Sequence, residues 1–255
     1  MVIIHDVKQS IYSILTDPVL NQDKNYYFKD FLKPKLPLDR DNSTILDFFN
    51  GTSFRNAEKR LLSDKENEMI VPICLFIDKT HATENGRFMC EPVSMCLMLY
   101  DLETRNKPEA SRTIGYIINQ ADVENKDATP YMKLLDYHEC LGEILRPLLK
   151  FQLSNGFKWR IPFKGTIFEM TIKTPILFIA GDNEGMDKLA GRYGSRTNVK
   201  CICRYCDIPL LQAGNPEYEF KYHTNQKMVD LVKKTKNSNC LNYCIIFYQI
   251  IFFMN

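Results

Sequence analysis

After Met69 the chain reads as short apolar runs separated by polar, turn-forming clusters, a pattern of strands rather than of long helices. Ile70 to Ile77, Pro92 to Tyr100 and Arg112 to Ile118 are each rich in β-branched or aromatic residues. Three such runs in succession predict an antiparallel meander. The period then changes. From Tyr131 to Leu153 the apolar residues Leu134, Leu135, Ile144, Leu145, Leu148 and Leu149 recur at a helical spacing, which predicts an amphipathic helix covering the sheet and kinked at Pro147. Trp159 to Phe163 and Gly165 to Ile172 predict a hairpin. Pro175 to Ala180 is a continuous apolar strand that ends in Gly181-Asp182, and the order as a whole is mixed α/β.

Upstream of Met69 the pattern is less regular. Val7 to Leu15 has helical character, followed by the aromatics Tyr26, Tyr27, Phe28 and Phe31 and by Pro34 and Pro37. Asp41 to Ser43 is suited to cap a short helix running through Phe49, Gly51 would end it, and Ser53 to Leu62 reads as a second short helix with basic residues on one side. The polar run Ser63 to Glu68 marks a boundary, so residues 1–68 are expected to be an N-terminal accessory segment.

Composition bounds what such a chain can do. With 255 residues and 45% hydrophobic composition it can bury a sizeable core, most simply as one main domain with an extension. Thirty-three Lys and Arg against 31 Asp and Glu leave a formal charge of +2, so any nucleic-acid binding must come from a local basic patch. Nine cysteines, an odd number, with no signal peptide before the first polar residues, point to a reduced nuclear or cytoplasmic compartment. Cys74, Cys90, Cys96 and Cys140 lie in apolar or mixed surroundings and read as small buried hydrophobes. The final stretch from Cys240 to Asn255 is apolar over fewer residues than the roughly 20 a bilayer span needs, so no membrane association is expected. Its abrupt change of composition after a Lys-rich segment suggests that residues 226–255, a helix and an apolar tail, are not the native continuation.

Two acids stand where strands end. Asp78 follows the apolar run Val71 to Ile77, and Asp182 follows Pro175 to Gly181 with Glu184 and Asp187 close behind. Carboxylates held on two strands of one sheet suit a hard divalent ion such as Mg2+ or Mn2+, and such ions promote in-line attack on a phosphodiester. Three of these four acids also have an ordinary alternative. Asp78 could cap its own turn, and Glu184 and Asp187 could complement a helix N-terminus.

A third candidate is KCICRYCDIP, with thiols at Cys201, Cys203 and Cys206 and with His223 downstream. The C-x-x-C spacing of Cys203 and Cys206 is that of a zinc knuckle, for which Cys201 and His223 would complete four ligands. Redox use and three unligated thiols remain the competing readings. Lys188, Arg192, Arg196, Lys200 and Arg204, interleaved with Tyr193 and Tyr205, could track a phosphate backbone or form a solvated basic face.

The stretch FIDKTHATENGRFMCEPVSMCLMLYDLETRNKPEASRTIGYI resembles the catalytic start of Plavaka-type transposases, in the Kyakuja-Dileera-Zisupton group. GDNEGMDKLAGRYGSRTNVKCICRYCDIP resembles their second carboxylate region and zinc-binding cysteines. With DFFNGTSFR and SNGFKW, the resemblance covers roughly residues 45 to 225. It implies a ribonuclease H-like mixed sheet with flanking helices: a core over residues 69–200 and a small zinc-binding insertion over 201–225. It further implies binding to transposon DNA ends, often as a homo-oligomer, and metal-dependent strand cleavage and transfer, with Asp78 as first acid and Asp182 as second. The family's third acid lies on a helix after the zinc-binding insertion and has no identified counterpart here, which implies an incomplete or inactive transposase-derived protein. A non-catalytic zinc-containing nucleic-acid-binding module is the alternative. IDKTHAT also resembles the DKTGT motif of aspartyl-phosphate ATPases, but His81 replaces the glycine.

Overall fold

The computed structural model describes residues 2–28, 47–64, 66–81, 89–118, 130–153, 155–189, 203, 206–222 and 224. In chain order the elements are β1 (Val2–Ile4), α1 (Val7–Leu15), α2 (Thr52–Leu61), β2 (Glu68–Ile70), β3 (Ile73–Ile77), β4 (Thr80–His81) and β5 (Met89–Leu97). There follow α3 (Leu102–Arg105), β6 (Ser111–Ile118), α4 (Pro130–Leu153), β7 (Phe157–Phe163), β8 (Thr166–Lys173), β9 (Ile176–Ala180) and α5 (Asn183–Leu189). The chain is mixed α/β, with two mixed sheets.

The main sheet has the order β1-β6-β5-β3-β9, with β4 pairing back onto β5, and the smaller one the order β2-β8-β7. The meander expected from three apolar runs is present as β3, β5 and β6, each antiparallel to the next. β9 adds to the other side of β3 in the parallel sense, and β1 adds to β6 antiparallel.

The expected single strand from Ile70 to Ile77 is instead two strands in two sheets. It divides at Val71-Pro72, where Pro72 has no N–H to donate to a ladder. The Pro72 carbonyl still accepts from the Met98 amide at 2.8 Å, and the Ile73 amide donates to the Pro175 carbonyl at 2.7 Å. β8 and β9 are separated in the same way at Thr174-Pro175, so β2 with β8 and then β3 with β9 form one parallel ribbon that passes from the small sheet into the large one at paired prolines. The β7–β8 hairpin turns at Lys164 and Gly165, both with positive φ (47° and 74°), a conformation that suits a two-residue hairpin turn.

Burial alternates along β3: Ile73, Leu75 and Ile77 are buried, while Cys74 is half-buried and Phe76 exposed. The buried face, with Val93, Met95, Leu97 and Ile114, meets α1 and α4 in the main core. α4 contributes Leu134, Tyr137, Leu141, Ile144, Leu145 and Leu148, an inward stripe at helical spacing, and is continuous across Pro147. Each such aliphatic side chain stabilises the fold by about 1.5–3 kcal/mol through burial.

Residues 2–28 are built into this core through Val7, Ile11, Ile14, Leu15, Leu20, Tyr26 and Phe28. The Tyr100 hydroxyl ties them down, lying 3.1 Å from the Ile14 carbonyl and 3.0 Å from Asn21 Oδ1. A second cluster of Phe48, Phe49, Phe54, Ala57, Ile70 and Met98 packs with half-buried Cys74 and Phe178, and Arg105 anchors it through a buried ion pair to Asp47.

Candidate functional site

The parallel pairing of β3 and β9 decides where the two strand-end acids lie. Ile73 pairs with Ile176, but the register then shifts by one, so that Cys74, Leu75 and Phe76 oppose Phe178, Ile179 and Ala180. Leu177 is the extra residue of a bulge, a device that re-aims the side chains following it. Continuing the shifted register by two residues sets Asp78 across from Asp182.

Gly181 shows how closely the two strand ends approach. A Cβ placed there would lie 2.5 Å from the Ile77 carbonyl oxygen, so residue 181 is restricted to glycine by its neighbour's backbone. The residues immediately preceding the two acids are thus in direct contact.

Asp78 is half-buried and Asp182 exposed. Asp78 Oδ1 accepts from the Lys79 amide at 2.8 Å, and Asp182 Oδ1 accepts from the Gly185 amide at 2.6 Å in the first turn of α5. Asp78 therefore does act on its own turn, as the ordinary reading supposed, and Asp182 likewise caps the first turn of α5. That role occupies one oxygen of each, and among the described residues the Oδ2 atoms have no hydrogen-bond partner. The donor set is hard and all-oxygen, which suits Mg2+ or Mn2+ rather than a soft metal. It is also small: among the described residues no group of three or more His, Cys, Asp or Glu side chains converges on a metal-sized point.

Around α5 lies a polar network of which the sequence singled out only Lys188 and Glu184. Glu91 of β5 is only 4% exposed, and its Oε1 meets Lys188 Nζ at 2.9 Å. Lys188 also reaches Glu184 at 3.5 Å and lies 5.9 Å from the centre of the Tyr137 ring. Its backbone carbonyl accepts from His138 Nε2 at 2.9 Å, which fixes the neutral ring as the Nε2-protonated tautomer. Burial holds the His138 pKa below its ordinary value against the opposing pull of that hydrogen bond. The Tyr137 hydroxyl is buried without a hydrogen-bond partner, and burial first, then the charges of Glu91 and Asp182, push its pKa far up. The Lys188 pKa is raised: burial alone would lower it, but Glu91 and Glu184 together outweigh that.

The signal for Glu91 was present but weak, a lone acid within the apolar run CEPVSMCL. Its phase with Val93 and Met95 puts it on the inward face. His138 and Tyr137 were concealed in the same way within the inward stripe of α4.

Of the expected basic patch, Lys188 is described, and its ammonium is engaged by Glu91 and Glu184. Arg192, Arg196, Lys200 and Arg204 lie outside the described residues, as do Cys201 and His223. Asp187, expected as helix-terminal charge, is 8% exposed. Cys203 is half-buried and Cys206 buried. Cys206 forms an isolated antiparallel bridge with Tyr222, flanked by the Asp207 amide on the Lys221 carbonyl at 3.1 Å and the Lys221 amide on Asp207 Oδ1 at 2.8 Å. The bridge sets Tyr222 opposite Cys206.

Among the described residues no helix is long and apolar enough to cross a membrane. Compared with known proteins, the chain matches no family model, and no curated protein is similar enough to count as a match.

Proposed function

We propose that this chain is a transposase-derived, ribonuclease H-like domain of the Plavaka type, in which Asp78 and Asp182 are two carboxylates of a Mg2+ or Mn2+ site acting on DNA. The observation that carries the reading is the parallel β3–β9 pair, whose shifted register opposes the two aspartates at one sheet edge. The order β6-β5-β3-β9 supports it, being a meander whose first strand gains a parallel neighbour after a helix, as a ribonuclease H-like sheet requires. A divalent ion held there would supply activation of the attacking oxygen and stabilisation of the leaving one. The chain's own contribution is to hold two hard ligands on rigid strand ends, with one oxygen of each fixed by a local amide. In this reading Cys203 and Cys206 belong to a structural zinc site with Cys201 and His223, and the basic residues 192–204 contact the DNA backbone.

A second reading is a module that binds nucleic acid without cutting it, in which the two aspartates serve only their own turns. Both are decided by incubating the purified chain with labelled DNA and Mg2+ or Mn2+, beside Asp78→Asn and Asp182→Asn. Cleavage by the parent chain that both variants lose establishes the carboxylate site. Cleavage that survives both substitutions overturns it, and zinc and DNA binding without cleavage identifies the module.

A further inference from the structure

The Glu91–Lys188 pair is an unusual choice for joining α5 to the sheet. Taking two charges out of water is costly before their attraction offsets it, and apolar residues of the same volume often hold such a contact as well or better. Glu91 bears that desolvation almost completely, and the Tyr137 ring helps to exclude water from Lys188. What an ion pair adds over an apolar contact is direction: one ammonium, held at 2.9 Å by one carboxylate, fixes how far α5 can rotate or slide.

That matters because of what α5 carries. Its first turn holds the Gly185 amide that grips Asp182 Oδ1, and its last turn holds Lys188. The described part of the helix, Asn183–Leu189, is two turns long, and a stretch of that length draws its orientation from the elements it packs on. Its last turn is joined to other elements by the Lys188 ammonium on Glu91 of β5 and by the Lys188 carbonyl on His138 of α4, beside the apolar packing of Leu189 in the main core; the ion pair is the directional contact among these.

We propose that Glu91 and Lys188 are positioning residues for Asp182, setting the pose of α5 so that the carboxylate stays opposed to Asp78. This rests on the reading of Asp182 as a metal-holding group, but its first consequence does not need a metal. If the ion pair sets α5, then the Gly185 amide that reports the grip on Asp182 depends on it.

Removing one charge alone would strand the other in the core and could prevent folding, so the decisive variant removes both: Glu91→Gln with Lys188→Met. Amide hydrogen exchange on the metal-free protein is the readout, with Leu75 and Met95 in the main sheet as internal controls. The Gly185 amide is expected to exchange roughly tenfold faster in the double variant while the controls keep their parent rates, and Lys188→Arg is expected to retain the parent rate at Gly185. Gly185 exchange unchanged in the double variant overturns the proposal, as does acceleration shared equally by the controls. Titration with Mn2+ alone then separates the two ideas. The double variant should bind Mn2+ about 10-fold more weakly than the parent chain, as for loss of an outer-shell partner. A parent chain that binds no Mn2+ overturns the metal reading, and the exchange comparison still decides the role of the pair.

Discussion

The two stretches of sequence that point to chemistry are held in place by different means. Asp78 and Asp182 end strands whose buried faces lie in the main core, so their juxtaposition follows from apolar packing and ladder register. Among the described residues, the segment from Cys206 to Tyr222 has only isolated bridges, at Cys206, Pro209 and Tyr222, and a single turn of 3-10 helix at Leu210–Gln212. Beyond Cys206 and the half-buried residues 207–210, most of its side chains face water: Leu211 is 94% exposed and Tyr222 71%. A carboxylate edge set by a core is formed before any ligand arrives. If the segment is the proposed zinc site, it would gain its order from the metal, because for such small sites the free energy of metal binding is the free energy of folding.

The comparison is broken most directly at equivalent leucines. Leu75→Ala, at a position with no exposure, is expected to destabilise the chain by about 2–5 kcal/mol. Leu211→Ala should change stability by less than about 0.5 kcal/mol. Urea unfolding of the two variants tests this, and a large loss at Leu211 would mean that the segment is packed by something not yet identified.

Glycine gives a finer contrast. At Gly181 a methyl group would meet the Ile77 carbonyl, whereas at Gly214 it would meet nothing within 4 Å. Gly181→Ala is expected to cost about 1–3 kcal/mol and to weaken Mn2+ binding by forcing the strand ends apart. Gly214→Ala should leave both unchanged. Equal effects at the two sites would show that the closeness of the strand ends does not matter.

The smallest expected effect is in pH. His138 is buried with its pKa below the ordinary value of about 6.5, so the folded state binds its proton less readily than the unfolded state. The stability it supports is therefore present above that ordinary value and is lost as pH falls below it. Unfolding measured from pH 7.5 down to 5.5 should show a decline that His138→Gln flattens. Amides of α5 should lose protection over the same range, while those of Leu210–Gln212 should not respond. An identical slope in parent and variant would remove His138 from the account.

Much of the carboxylate edge was legible because strands declare themselves by composition and by what ends them. β6, α4, the hairpin and β9 lie where apolar periodicity and turn residues put them, β5 lies three residues earlier than the run Pro92 to Tyr100, and both acids follow directly from strand ends. Periodicity does not record which sheet a strand joins. The run from Ile70 to Ile77 therefore gave no sign that Val71-Pro72 carries the chain from one sheet to another, although a proline inside a central strand was a warning. The pairing of β1 with β6 was equally hidden, since Val2–Ile4 is too short to show a period. Glu91 was missed because a charged residue in an apolar run was read by its neighbours rather than by its phase.

The slip beside Leu177 also bears on which genetic changes this edge can survive. Asp78 lies five residues beyond Ile73, while Asp182 lies six beyond its partner Ile176. β9 thus carries one residue more than the ladder needs. Loss of a single codon between Leu177 and Ala180 would straighten the strand and still bring the aspartates level, whereas a second loss would leave them one step apart. A lineage drifting by short deletions could therefore shorten this strand once without separating the pair, a tolerance that β3, with no residue to spare, does not share.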